Sequence, residues 1–198
     1  MINVGALAAQ TTAKSSAFGE SINLNLLPLL GQGIPVASGP LPTVSGTAPA
    51  AYNQAGNLAS AGVSTVLTGS ILSTGVINVH AASAVPGADT VSADANVANP
   101  TLNVVQALPL LHLTADTVSS SATIGGSCAA GSTVSGATTI ANAHLSGTLA
   151  GGLSIATSPA PNTLLLNLAG IRVVLNEQTV TNSGGVRGIT VNAIHISL

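Results

Sequence analysis

Four histidines, five carboxylates and one cysteine are all the 198-residue chain offers for acid–base, metal or thiol chemistry. Three of the histidines, His80, His112 and His144, fall 32 residues apart. On adjacent strands in matching register they could ligate zinc, which takes imidazole nitrogens in a tetrahedral site. Asp89, Asp94 and Asp116 could gather around calcium, which prefers several carboxylate and carbonyl oxygens. Both sets are scattered, and solvated polar strand faces explain them more simply. Asp89 and Asp94 are the nearest acidic pair, the minimum a glycosidase needs. A hydrolase triad needs a nucleophile, a base and an orienting acid. No G-x-S-x-G elbow stands between a strand and a helix to supply the nucleophile. Cys128 has no His, Lys or Arg near it in sequence to lower its pKa, and as the single cysteine it has no internal disulfide partner. It reads as a small, partly buried apolar side chain. We therefore expect no catalytic residue, no metal and no cofactor.

Composition narrows the function further. Charged residues are 4% of the chain, against about 25% in ordinary globular proteins. Phe18 and Tyr52 are the only aromatic residues. Lys14, Arg172 and Arg187 are the only Lys or Arg residues, too few to neutralise a phosphate backbone, so nucleic acid is not an expected partner. The apolar runs are short and interrupted, whereas a spanning helix needs roughly 18 consecutive apolar residues. Two aromatics cannot form the girdles of a membrane barrel. Disorder is equally ill-suited, because aliphatic and β-branched residues abound and net charge is only −2. A surface with so little charge tends to associate.

The elements that position these residues read as strands. Apolar and polar residues alternate with period two around Ile22-Asn23-Leu24-Asn25-Leu26, from Val91 to Val97, and from Leu111 to Ala115. Gly and Pro clusters punctuate the strands at Gly125-Gly126, Gly151-Gly152, Pro159–Pro161 and Gly184-Gly185. Residues 49–62, rich in Ala and free of β-branched side chains, suggest a short helix. Residues 31–48, with Pro35, Pro40 and Pro42, suggest a long surface loop or an edge excursion. The N-terminal segment is either the remnant of a secretory signal, given Ala6-Leu7-Ala8, or an extended strand. As a strand, it places Ile2, Val4, Ala6 and Ala8 on one side and could add to a neighbour's sheet.

The closing stretch VLNEQTVTNSGGVRGITVNAIHISL reads as a hairpin turning at Ser183-Gly184-Gly185, with arms at residues 171–181 and 187–198. Ile189 and Val191 alternate in one phase, and Ile194, Ile196 and Leu198 in the other. That shift predicts a β-bulge at Asn192-Ala193 or a strand that changes its packing face. Glu177 shares a face with Val173 and Leu175 and therefore needs a partner. Arg187 across the hairpin or a backbone N–H group would supply one, which makes Glu177 and Arg187 a structural pin.

Four stretches, SSAFGESINLN, SILSTGVINVHAAS, LHLTADTVSSSATIGGSCAAGSTVSGATTIANAHL and VVLNEQTVTNSGGVRGITVNAIHISL, resemble the bacterial choice-of-anchor P family. The closing NEQ, the hairpin and VNAIHI carry most of the specificity. The resemblance implies a secreted or surface-attached, β-rich, structural or adhesive protein, with no known catalytic residues to carry over. Members commonly continue past the position of Leu198, often to a second cysteine or an anchoring segment.

The expected fold is all-β, an antiparallel β-sandwich or jelly-roll-like barrel, with a β-solenoid as the alternative. Residues 1–14 form an N-terminal extension, with a possible donor strand, and residues 15–198 a single β domain. The expected function is a structural subunit of an extracellular or cell-surface filament, pilus-like fibre or surface layer. Its partners are identical subunits, joined by strand addition and apolar packing. The alternative is a monomeric surface-attached adhesin or binding module that meets a host or neighbouring-cell surface.

Overall fold

The computed structural model describes residues 13–26, 34–65, 69–85, 89–104, 111–126, 131–168, 171–183 and 186–197. These are all-β. In chain order the strands are β1 (Lys14–Leu26), β2 (Ile34–Thr47), β3 (Tyr52–Leu58), β4 (Gly62–Thr65), β5 (Gly69–Ser73) and β6 (Ile77–Ser83). Next come β7 (Thr90–Ala98), β8 (Thr101–Val104), β9 (Leu111–Thr114), β10 (Thr117–Gly125) and β11 (Thr133–Ala141). The chain closes with β12 (His144–Ser146), β13 (Leu153–Ser154), β14 (Thr163–Leu168), β15 (Ile171–Ser183) and β16 (Val186–Ser197). All pairs are antiparallel.

One layer is a long sheet broken across its middle. Its two halves have orders β11-β10-β7-β6-β3 and β13-β12-β9-β8-β5-β4. Each strand of the first half is joined, after a break of a few residues, to the corresponding strand of the second: β3 to β4, β5 to β6, β7 to β8, β9 to β10, β11 to β12. The breaks fall at one level. Asn99 and Asn142 take left-handed conformations there, with φ of 46° and 49°, which asparagine tolerates better than most residues. Backbone bonds stitch the line together: Gly75 N–H to Ala98 O, Asn99 N–H to Asp116 O, and Asp116 N–H to Ala141 O. The Asn142 side-chain amide donates to Asp116 Oδ2 at 2.7 Å.

The second layer is two long hairpins. The β1–β2 hairpin lies over β3, β6 and β7, and β16 with its partner β15 lies over β10 and β11. Each hairpin also continues past the break: Ile22 and Val36 pack with Ile71 and Leu72 of β5, while Val173 and Leu175 pack with Leu111, Leu113 and Leu145. This is a sandwich of two layers, and among the described residues none of the sheets closes into a barrel or solenoid, so those two alternatives fall.

Three local expectations change. Residues 49–62 form no helix; β3 runs through them, because pairing with β6 along its whole length outweighs the helix propensity of alanine. The proline-bearing segment is mostly strand, β2, hydrogen-bonded among the described residues to β1 alone. That is the place where proline, lacking an N–H, is tolerated in a sheet. The register of β15 and β16 runs unbroken past Asn192-Ala193, with Leu175 opposite Ile194 and Glu177 opposite Asn192. There is no bulge. Instead β16 changes what it packs on: Ile189 and Val191 approach Gly136 of β11, and Ile194 and Ile196 join the core below the break.

Candidate assembly surface

Pairing registers sort the five-stranded half into two faces. The inner face carries the row Leu58, Ile77, Val97, Val118 and Ile140 and, parallel to it, Gly56, Val79, Ala95, Ser120 and Thr138. The outer face carries Asn57, Asn78, Asn96, Ser119 and Thr139, then Ala55, His80, Asp94, Ser121 and Ala137. It is polar and, Asp94 and His80 apart, without ionisable groups in these rows. His80 sits between two acceptors, with Nδ1 3.1 Å from Asp94 Oδ1 and Nε2 2.7 Å from Asn53 Oδ1. Which ring nitrogen carries the proton depends on the tautomer, and a neutral imidazole donates to only one of the two oxygens.

The other expected ligands are not brought together. His112 pairs its Nδ1 with Asn103 Oδ1 at 2.6 Å, beyond the break from His80. His144 lies opposite Thr114, Asp116 holds Asn142, and Asp89 takes a left-handed turn conformation with φ 48°. Among the described residues, no three of His, Cys, Asp and Glu stand close enough to hold a metal ion. Cys128 and the donor candidates Ile2, Val4, Ala6 and Ala8 lie outside the described residues.

Glu177 and Arg187 do not meet. On β15 and β16 Glu177 lies opposite Asn192, while Arg187 lies opposite Asn182, five positions nearer the turn. Asn192 Nδ2 donates to Glu177 Oε2 at 2.9 Å, and His195 Nδ1 lies 2.8 Å from the same oxygen. The Asn192 bond, with the help of His195 and the charge of Arg172, outweighs partial burial and holds the Glu177 carboxyl below its ordinary pKa. Arg187 turns to the other layer and donates to the Ser132 carbonyl at the start of β11.

That last contact belongs to a set. β11 is an edge strand, and side chains of β15 and β16 together with the backbone of the segment after β13 cover its outward groups. Gln178 Nε2 donates to Gly136 O at 3.0 Å, and the Ile140 N–H donates to Thr157 O at 2.8 Å. Edge strands left bare pair with other chains, so this edge is partly blocked. The edge strand β14, TLLLNL, carries no charge, and Leu164 and Leu168 are 53% and 50% exposed. Phe18 and Leu41 of the first hairpin are also exposed apolar groups.

Sequence reasoning passed over two polar residues. Asn176 is buried with φ 48°; its amide donates to Pro159 O at 2.9 Å, and its Oδ1 accepts from Gln178. Glu20 is only 8% exposed. Ser38 Oγ donates to its Oε1 at 3.1 Å, while Oε2 has no partner among the described residues. Burial raises its pKa, against the smaller opposing effect of Ser38. The signal for Asn176 was the NEQ triplet, which supplies a buried bend, a paired carboxylate and an edge cover in three successive positions.

The fold thus defines an all-β sandwich with a broken sheet. No family model matches the chain, and no curated protein or solved structure matches it either. Among the described residues no helix is long and apolar enough to cross a membrane.

Proposed function

We propose that this protein is a structural subunit of an extracellular or cell-surface filament, pilus-like fibre or surface layer, self-assembling by β-strand addition and apolar packing. The observation that carries this reading is the combination of strand edges without hydrogen-bonded partners among the described residues and exposed leucines on β14, in a chain whose charged residues are 4% of the total. Charge on an edge is a common device against strand addition, and here it is nearly absent. The resemblance to choice-of-anchor P proteins favours the same setting. This reading assigns no turnover to the chain and no cofactor. Sedimentation and negative-stain electron microscopy of the purified protein test it: polymers growing with concentration are expected, and a strict monomer at high concentration would sink it.

A second reading, a surface-attached adhesin or binding module, has one observation in its favour. The outer rows of Asn, Ser and Thr form a polar, nearly charge-free platform. It lacks the aromatic rings that commonly stack on sugars.

A further inference from the structure

Among the described residues, no strand of the second layer occupies its middle. β2 lies over β3 and β6, and β1 over β6 and β7; β16 lies over β10 and β11, with β15 beyond it against β11. β7 and β10 are neighbours in the sheet beneath. Nothing in the second layer is placed over the boundary between them by these packing relations. Among the described residues, β1 hydrogen-bonds only to β2, and β16 only to β15. Their free edges therefore face each other across a space of about two strand spacings, roughly 9–10 Å, which is the room one strand needs.

The core agrees with this geometry. It divides between β7 and β10: Ile77, Val79, Ala95 and Val97 pack under the first hairpin, and Val118 and Ile140 belong to the cluster under the second. On that face, the floor of the space, the two strands meet in small side chains, Ala93 beside Ala122 and Ala95 beside Ser120, flanked by the larger pairs Val91–Ile124 and Val97–Val118. Ser120 and Ala122 are half-buried, whereas Ala81 on the same face of β6, covered by the first hairpin, is fully buried. β1 and β16 also run in the same direction, from the five-stranded half across the break into the six-stranded half. One incoming strand can thus lie antiparallel to both and satisfy both edges.

We infer that this slot between β1 and β16 is the acceptor site for residues 1–12 of a second copy of the chain. The inference rests on the assembly reading above and names its site. Residues 1–12 carry no charged side chain, and as an incoming strand they would put Ile2, Val4, Ala6 and Ala8 on one side, small residues to meet the alanines and serine at the middle of the floor. The described chain begins at Ala13, at the end of the five-stranded half far from the break, packed with Ala48, Val85 and Val91. To fill its own slot the segment would have to reverse beside β1, through Gln10-Thr11-Thr12-Ala13. That stretch holds no Gly, Asn, Asp or Pro, the residues that tight hairpin turns favour. Donation to a neighbour needs no such reversal and gives a head-to-tail chain.

Two full-length variants test this in combination. Val4→Lys disables the donor, and Ala122→Lys places a charge on the slot floor. Each alone is expected to sediment as a monomer with an unchanged far-UV circular dichroism spectrum. Mixed one to one they are expected to form a dimer, because one intact donor then meets one intact slot. Ala137→Lys, on the opposite face of the same strand row, is expected to polymerise like the wild type. If Ala122→Lys misfolds, Ser120→Lys serves for the floor. Variants that polymerise normally would overturn the slot while leaving the assembly reading in place, as would a mixture of monomers that never complement. A monomeric wild type would overturn the assembly reading, and donation between copies with it.

Discussion

The two long hairpins face the same mechanical problem and solve it with different chemistry. Each must follow a sheet that changes course along the line of breaks. The β1–β2 hairpin does so with a register shift between Glu20 and Ile22, opposite Gly39 at φ 80°. A Cβ on Gly39 would lie 2.5 Å from Glu20 O, so only glycine fits. The β15–β16 hairpin keeps its register and bends at Asn176. A carboxylate stands at each bend. That of Glu20 is buried with one oxygen unpartnered among the described residues; that of Glu177 is half-buried and held by Asn192 and His195. One bend tolerates an orphan polar group, and the other is a satisfied network. The first hairpin should therefore be limited by its burial cost and the second by its hydrogen bonds.

The largest expected difference lies in how closely each hairpin docks. On the first, a Cβ at Gly19 would sit 2.0 Å from Cγ2 of Ile77, which is fully buried. Beneath the second, a Cβ at Gly136 of β11 would sit 2.5 Å from Cγ2 of the half-buried Val191. Gly19→Ala is expected to destabilise by about 3 kcal/mol and Gly136→Ala by about 1 kcal/mol, the two ends of the usual overpacking range. Denaturant titration of both variants measures the contrast. Equal losses would mean that the two hairpins are equally free to move off the sheet.

The bend itself gives the next effect. Asn176→Ala removes a side chain that tolerates the left-handed conformation and leaves Pro159 O without its amide donor. A loss of about 2–3 kcal/mol is expected, from the conformational penalty and the lost bond together. Asn176→Gly keeps the conformation and should recover about 1 kcal/mol of that. If glycine recovered nothing, the hydrogen bonds alone would account for the loss.

These contrasts also mark what was legible in the sequence. Alternation located β7, β9 and the arms of the last hairpin, because strands with one face packed inward repeat with period two. β3 was hidden, since Ala51, Ala55 and Ala59 suit a helix locally and only β6 beside them decides otherwise. β2 was half legible: its prolines announced an edge but also imitated a loop. The line of breaks was not legible, because no single residue type marks it. Asn99, Ala115-Asp116 and Asn142 align only once the strands are paired. The charge on Glu177 was read rightly as needing a partner, yet Arg187 was the wrong one. Cross-strand register, which sets Asn192 opposite, is a property of the fold. The slot was equally hidden, since it is defined by one edge each of β1 and β16 that has no hydrogen-bonded neighbour among the described residues.

The smallest effects, and the most diagnostic for the comparison, come from titrating the two carboxyls. Burial raises the Glu20 pKa in the folded chain. The stability it contributes is therefore present below its ordinary pKa and is lost as pH rises through the folded value. Glu20→Gln should show no relative gain in acid and a gain that grows as pH rises through that window, then levels. A gain of about 1 kcal/mol would correspond to a rise of roughly 2–4 °C in Tm for a chain of this size. For Glu177 the sign reverses. The Asn192 bond is the largest cause of its lowered pKa, so its contribution is present above the ordinary carboxyl value and is lost as pH falls through the folded one. Glu177→Gln should cost about 0.5 kcal/mol at neutral pH, a small value because solvent reaches the pair, and nothing in strong acid. Melting each variant against the wild type between pH 3 and pH 8, about the range in which carboxyls titrate in proteins, reads both signs in one series. Curves that bend the same way for the two variants would show that Glu20 has a partner after all, and the contrast between an orphaned bend and a satisfied one would be lost.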